Sequence, residues 1–160
     1  MLETAVRDAG HEPSPDDVAF AVDVATTHFY ATGAGEYRLE SLDRTLDLVA
    51  GWAGRHPLVA VEDPLAENDR ERSGAALQGR VQVLGDDLLA TSVGRVEQAV
   101  EENAASAVLV RPNRAGTLTR TLEVVGTARD AWLATVVSAR SGETCDATIV
   151  DLAVGSAPGR

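Results

Sequence analysis

Five short apolar runs, each of four or five residues, recur along the chain. They are rich in valine and lack strict alternation with polar residues, which is typical of strands buried on both faces of a parallel sheet. The runs are Val18–Val22, Leu58–Val61, Val81–Leu84, Ala107–Val110 and Leu133–Val137. We therefore predict about five buried strands.

The segments between these runs have helical spacing, with an apolar residue recurring every three or four positions. A helix is also predicted at the start of the chain, over Leu2–Ala9, and an excursion or a small hairpin over the glycine-rich stretch Phe29–Leu39. The long predicted helices are Ser41–Trp52 with the face Leu42, Leu46, Val49 and Ala53, Thr91–Val100 with Val93, Val96 and Val100, and Thr117–Ala131 with Leu118, Leu122 and Val125. Alternating strands and helices predict an α/β fold with parallel strands, in one domain over residues 1–160.

Composition narrows the functional classes. The chain has 160 residues, 44% hydrophobic and 24% charged, which is ordinary for one globular domain. A formal net charge of −11 opposes nucleic-acid binding, because a polyphosphate would be repelled. No apolar run approaches the roughly 20 residues of a membrane span. A single cysteine, Cys145, and the lack of a secretory signal pattern favour the cytoplasm.

Acidic residues follow the first three predicted strands. Asp23 ends the first, Glu62 and Asp63 the second, and Asp86 and Asp87 the third. The C-terminal ends of parallel strands meet at one edge of a sheet, where α/β proteins bind their ligands. These carboxylates are therefore expected to converge.

Converging carboxylates repel one another unless protons or a cation neutralise them. Three of them, Asp23, Glu62 and Asp86, form the candidate metal site, and Mg²⁺ is the expected ion because a few carboxylates plus waters suffice for it. The alternative is that each acidic residue caps the helix that follows its strand, since Asp and Glu favour helix N-termini. Asp86 is preferred to Asp87, which lies one residue further along.

Five motifs in register resemble the barrel domain of enolase, the phosphopyruvate hydratase of glycolysis. They extend over nearly the whole chain, and the run Arg-Ser-Gly-Glu-Thr is the most specific. The motifs are Phe20–Ala25, Val61–Pro64, Gly85–Leu88, Asn113–Leu118 and Ser138–Thr144. The resemblance implies a partial (β/α) barrel of the enolase C-terminal type.

The resemblance also implies a chemistry. Asp23, Glu62 and Asp86 would be the magnesium ligands, and Arg140 with Ser141 would bind the substrate phosphate. The family interconverts 2-phosphoglycerate and phosphoenolpyruvate: a lysine removes a proton next to the carboxylate, and magnesium stabilises the anion formed. A fixed guanidinium followed by small residues suits a phosphate.

Several catalytic positions depart from the family pattern. Arg111 occupies the place of the proton-abstracting lysine, and arginine stays protonated at ordinary pH. Ala139 replaces the family histidine before Arg140. The resemblance further implies that the capping domain, the first strands and the last strands of the family barrel lie outside residues 1–160. The loss of a general base alone costs roughly two to four orders of magnitude in rate.

Two functional hypotheses follow. In the first, the chain is an enolase-like lyase that binds Mg²⁺ and a small phosphorylated carboxylate, with impaired turnover as this chain alone. In the second, it is a non-catalytic binding or interaction module, or a truncated remnant. Because about five strands do not close an eight-strand barrel, a complementary enolase-like chain or a homo-oligomer is the expected protein partner. Neither a nucleic acid nor a membrane is expected as a partner.

Overall fold

The computed structural model describes residues 1–31, 36–37, 42–64, 77, 79–142 and 144–156. A parallel sheet in the order β1-β4-β5-β6-β7 forms the centre of this part of the chain. Its strands are β1 Phe20–Asp23, β4 Leu58–Glu62, β5 Gln82–Gly85, β6 Ala107–Val110 and β7 Ala134–Val137. The separate strands β2 Tyr30–Ala31 and β3 Glu36–Tyr37 form a small antiparallel pair. The predicted parallel strands and the predicted hairpin are confirmed.

Helices alternate with the strands of the main sheet, as the spacing predicted. A short 3-10 helix, Thr26–Phe29, follows β1. The α-helices are α1 Leu2–Asp8, α2 Leu42–Arg55, α3 Val93–Glu101, the single turn α4 Pro112–Ala115, α5 Leu118–Asp130 and α6 Thr148–Gly155. Ser41, the first residue of the helix predicted over Ser41–Trp52, lies outside the described residues. No helix within those residues is long and apolar enough to cross a bilayer.

Apolar side chains pack on both faces of the sheet, which is why the strands read as uninterrupted apolar runs. All four residues of β6 are buried: Val108 and Val110 pack against helices α3 and α5, while Ala107 and Leu109 pack with Leu84 on the opposite face. A second cluster joins α2 to β4 and β5 through Val49, Leu58, Val61, Leu77 and Val83. Helices α2, α3 and α5 thus cover one face of the sheet, while the apolar cluster on the opposite face is formed by strand residues alone.

The predicted apolar face of α5 is wrong at Leu118 and Leu122 and right at Val125, which is buried. Leu118 is 52% exposed and Leu122 is 53% exposed. The helix buries a neighbouring face with the spacing i, i+3, i+4 and i+7, formed by Thr121, Val124, Val125 and Ala128. The Thr121 hydroxyl tolerates burial because it donates to the carbonyl of Thr117 at 2.8 Å. Small residues on this face let α5 approach the sheet closely.

Gly85, at the end of β5, has no room for a side chain. A Cβ there would lie 2.6 Å from Cγ and 2.8 Å from Cδ1 of Leu89, which is fully buried. Gly85→Ala is therefore expected to lower the free energy of unfolding by roughly 1–3 kcal/mol. Urea unfolding measures the change.

Gly126→Ala is the matched control. Gly126 lies inside α5, and a Cβ there meets no atom within 4 Å. Its replacement should leave stability unchanged or raise it by up to about 1 kcal/mol, because alanine favours the helix. A Gly85→Ala protein as stable as Gly126→Ala would contradict the close contact with Leu89.

Candidate functional site

The carboxylates that end β1, β4 and β5 lie at one edge of the main sheet. Asp23 and Glu62 are register partners, and Glu62 pairs with Leu84, two residues before Asp86. Burial increases from β1 towards β5: Asp23 is exposed, Glu62 is partly buried and Asp86 is 6% exposed. Parallel pairing therefore carries the three predicted metal ligands to the same edge.

Three carboxylates form the tightest acidic cluster among the described residues. Glu62, Asp63 and Asp86 each offer an oxygen within 4.8 Å of the others. Neighbours in a regular strand point to opposite faces, yet Glu62 and Asp63 both contribute. Asp63 has a φ of +41°, which takes it out of the strand geometry and turns its side chain to the edge. Asp23 lies outside this trio.

Asp63 links the neighbouring strand ends through hydrogen bonds. Its two carboxylate oxygens accept hydrogen bonds from the backbone amides of Asp86 at 3.0 Å and Asp87 at 2.8 Å. Its carbonyl accepts from the hydroxyl of Thr26, beyond β1, at 2.7 Å. All three partners come from neighbouring strand ends, so Asp63 fixes the loops that carry the other acidic residues.

Two arginines from the segment after β6 neutralise Asp86. Arg111 Nη1 lies 2.7 Å from Asp86 Oδ2, and Arg114 Nη1 lies 2.9 Å from Asp86 Oδ1. Arg114 also binds Asp87, with Nη2 2.9 Å from Oδ1. Both oxygens of Asp86 are therefore held by guanidinium groups, which are the strongest charged donors a protein offers to a carboxylate.

The backbone holds Arg111 firmly in place. Arg111 is the N-cap residue of α4, where Pro112 fixes the first helical position. Its amide donates to the hydroxyl of Thr91 at 3.1 Å, and that hydroxyl donates to the carbonyl of Leu109 at 3.3 Å. The Nε of Arg111 is buried without a hydrogen-bond partner among the described residues.

The proposed phosphate-binding residues lie at the far side of the same edge. Arg140 and Ser141 are exposed in the turn after β7, with β6 between β7 and the acidic strand β5. A cavity of about 210 Å³ opens near this turn. It is lined by Pro112, Asn113, Ser138, Ala139, Thr144, Asp146, Thr148 and Ile149. The carboxylates of β4 and β5 are not among its lining residues.

Comparison with known families decides the relationship. The family model for the enolase C-terminal TIM barrel domain matches residues 1–160. The chain belongs to this enolase family. The five parallel strands and alternating helices agree with that assignment, so the predicted resemblance and fold class are confirmed.

Burial shifts the titration of this enolase domain's acidic cluster. Desolvation, followed by the negative charges of Asp23, Asp86 and Asp63, raises the pKa of Glu62 to about 7. Burial also raises the pKa of Asp63 to about 6, although two amides favour its charged form. Burial raises the pKa of Asp86 as well, against the opposing effects of Arg111 and Arg114. The cluster therefore holds more negative charge than its surroundings stabilise.

The donor set suits a hard divalent cation, with one restriction. The oxygens of the trio lie within 4.8 Å of one another, which is a little wider than the roughly 4.2 Å between opposite oxygens around Mg²⁺ and matches the roughly 5 Å around Ca²⁺. Within the described part of the chain, no hydrogen bond or ion pair occupies the carboxylates of Asp23 and Glu62. Asp63 and Asp86, in contrast, already have partners on both oxygens. Glu62 and Asp23 are the most available ligands of this enolase edge.

Sequence reasoning missed two contributors to the site. Asp63 was noted only as the neighbour of Glu62, and its positive φ has no sequence signature beyond the turn-forming Asp-Pro pair. Arg114 was not a candidate either. Its spacing of three residues from Arg111 places both on one side of a helical turn, which could have indicated a paired role.

Replacing Glu62 should reduce the pH dependence of stability. The Glu62 carboxyl has a pKa of about 7 in the folded chain against an ordinary 4.5, so the folded state loses stability as pH rises between these values. In chelator, the loss between pH 5 and pH 7.5 should be smaller in Glu62→Gln than in the wild type by roughly 1–2 kcal/mol, after allowance for solvent screening. Urea unfolding at the two pH values measures it.

Glu97→Gln on α3 is the control, because Glu97 is exposed and lies outside the acidic cluster. It should retain the wild-type pH dependence. Asp63 contributes a change of the same sign, so the dependence in Glu62→Gln is reduced rather than abolished. Identical pH profiles for the wild type and Glu62→Gln would contradict the raised pKa of Glu62.

Proposed function

We propose that this enolase-family domain binds Mg²⁺ through Asp23, Glu62 and Asp86, and a small phosphorylated carboxylate through Arg140 and Ser141. The substrate class is that of 2-phosphoglycerate and phosphoenolpyruvate, and the site of action is the cytoplasm. The observation that carries the proposal is that Glu62 and Asp86 offer oxygens within 4.8 Å of each other at the C-terminal edge of the sheet, with Asp23 the register partner of Glu62, in a chain of this family.

The charge of the edge supports a cation. Asp23 and Glu62 are adjacent in register, and the charge of Asp23 raises the pKa of Glu62. Bound Mg²⁺ would supply the positive charge that stabilises a carboxylate-centred anion. The chain's own residues would orient the ion: Asp63 fixes the loop of Asp86 through two backbone amides.

The residues for an anionic ligand lie beyond β6 and β7. Arg140 is exposed and its guanidinium can donate to a phosphate from two nitrogens. Ser141 and Gly142 follow it, and Gly142 has a φ of +94°, which lets the backbone turn tightly there. Ligand binding at this turn would bring the phosphate to the same sheet edge as the carboxylates.

Turnover by this chain alone is expected to be impaired. Arg111, at the position of the family lysine, is paired with Asp86 at 2.7 Å and stays protonated at ordinary pH. It therefore stabilises charge and does not accept a proton. This pairing favours the second candidate function, a non-catalytic binding module.

A protein partner is also proposed. Within the described residues, β1 and β7 each pair with one neighbouring strand only. A complementary enolase-like segment or a second copy would add strands at these edges. Such a partner would supply groups for proton transfer that the described site does not offer.

Thermal unfolding with added ligands tests the binding proposal. MgCl₂ should raise the melting temperature by several degrees at saturation, and phosphoenolpyruvate should raise it further only when Mg²⁺ is present. Glu62→Gln should lose most of the magnesium effect, whereas Glu97→Gln should keep it. The chain alone should hydrate phosphoenolpyruvate no faster than background. The absence of any Mg²⁺ effect in the wild type would contradict the proposed metal site.

Replacement of Arg140 separates the two ligands. Arg140→Gln should weaken phosphoenolpyruvate binding in the presence of Mg²⁺ by about tenfold or more, because a charge-assisted pair to phosphate is lost. Its Mg²⁺ affinity without phosphoenolpyruvate should be unchanged. Arg129→Gln, which removes another exposed arginine, located in α5, is the control. Equal phosphoenolpyruvate affinities for the two variants would contradict the role of Arg140.

A further inference from the structure

Two arginine side chains supply positive charge at the acidic edge of the sheet. Asp86 is only 6% exposed, yet each of its oxygens has a guanidinium within 3 Å: Arg111 at 2.7 Å and Arg114 at 2.9 Å. The side chain of Arg111 is 16% exposed and that of Arg114 is 24% exposed. Partial burial strengthens these pairs, because less water screens them. The chain therefore neutralises part of its carboxylate cluster without any bound ion.

The ion pairs of these arginines lie on one side of the cluster. Among the described residues, the arginines form ion pairs with Asp86 and Asp87, and none with Asp23 or Glu62. A cation that binds Glu62 and Asp23 would still need Asp86 to complete the proposed ligand set. At Asp86 it would meet a positive charge already in place.

The two arginines are anchored unequally. Arg114 binds Asp86, Asp87 and the carbonyl of Asp86, so three acceptors hold its guanidinium. Arg111 makes one ion pair, to Asp86 Oδ2, and its buried Nε has no hydrogen-bond partner among the described residues. Displacement of Arg111 breaks fewer contacts. Arg111 is therefore the arginine whose pairing a competing cation would exchange.

We propose that Arg111 is a built-in counter-ion that competes with a divalent cation for Asp86, and so sets how tightly the strand-end carboxylates bind metal. The inference rests on the proposed Mg²⁺ site and adds a determinant of its affinity. Arg111 acts on the metal through Asp86 and is a positioning residue in this role. The ion pair between Arg111 and Asp86 stabilises this edge of the sheet in the absence of metal. It lowers the affinity for the metal ion, because the ion has to compete with Arg111 for Asp86.

The test is calorimetric titration of the full chain with MgCl₂ after treatment with chelator. Arg111→Gln should bind Mg²⁺ about tenfold more tightly than the wild type, or better. A unit positive charge a few ångströms from a divalent cation repels it, even at an effective dielectric constant of about 20. This repulsion energy exceeds the free energy of a tenfold change in affinity, so a tenfold effect is expected even after solvent screening. Arg129→Gln removes the same charge from an exposed position on α5, where its side chain is 66% exposed, and should leave the affinity unchanged.

Melting temperatures in chelator provide a second measurement. Arg111→Gln should melt at a lower temperature than the wild type in chelator and should gain a larger shift on addition of MgCl₂. If Arg111→Gln does not fold, Arg111→Lys is titrated in its place. Lysine keeps the charge but has no planar fork to pair with Asp86, so its affinity should lie between those of the wild type and the glutamine variant.

The outcomes separate this inference from the proposed function. Tighter Mg²⁺ binding by Arg111→Gln alone supports the inference, whether or not the wild type binds measurably. A wild type without measurable binding would count against the proposed Mg²⁺ site in the native chain. A wild type that binds Mg²⁺ with the same affinity as Arg111→Gln, or more tightly, overturns the inference and leaves the metal site standing. If neither protein binds Mg²⁺, both proposals fail. An affinity gain of equal size in Arg129→Gln overturns the inference, because it would reflect net charge alone.

Discussion

Parallel strands that end in carboxylates gather like charges at one partly buried edge, and repulsion between them opposes folding unless each charge is compensated. This protein compensates them from within. The oxygens of Asp63 accept hydrogen bonds from two backbone amides, and those of Asp86 form ion pairs with two guanidinium groups. These contacts tie together the loops after β4, β5 and β6, and the hydrogen bond from the Thr26 hydroxyl to the Asp63 carbonyl adds the loop after β1. Glu62 has no such partner among the described residues, and burial, followed by the negative charges of Asp23, Asp86 and Asp63, raises its pKa.

The contacts that stabilise the edge also limit its chemistry. Asp86 cannot offer its full charge to a cation while Arg111 and Arg114 hold both of its oxygens. Arg111 in turn cannot accept a proton, because a paired guanidinium stays charged. The family assignment makes this edge of the sheet the candidate site. The arginines found there balance charge and do not accept protons. At Arg111 the described edge therefore offers charge compensation and not a proton acceptor.

Much of the fold could be predicted because burial on both faces leaves uninterrupted valine-rich runs. The strand Ala107–Val110 was predicted to the residue, and the other strands of the main sheet to within about two residues. The face of α5 was predicted wrongly, since its leucines outweigh Thr121 and Ala128 on any hydrophobicity scale. Which face packs depended on the fit of small side chains against the sheet, and apolar spacing alone does not encode that fit.

The sequence by itself determined the order of strands and helices, the parallel sheet and the meeting of acidic strand ends, because these follow from local periodicity and from the geometry of parallel pairing. The tertiary structure alone decided which carboxylates become neighbours and what neutralises them. The turn at Asp63, with its φ of +41°, and the docking of α4 against the loop after β5 placed Asp63 and Arg114 in the site. These contacts join residues that are far apart in the chain, and they depend on loop conformations. The spacing of residues along the sequence does not predict those conformations.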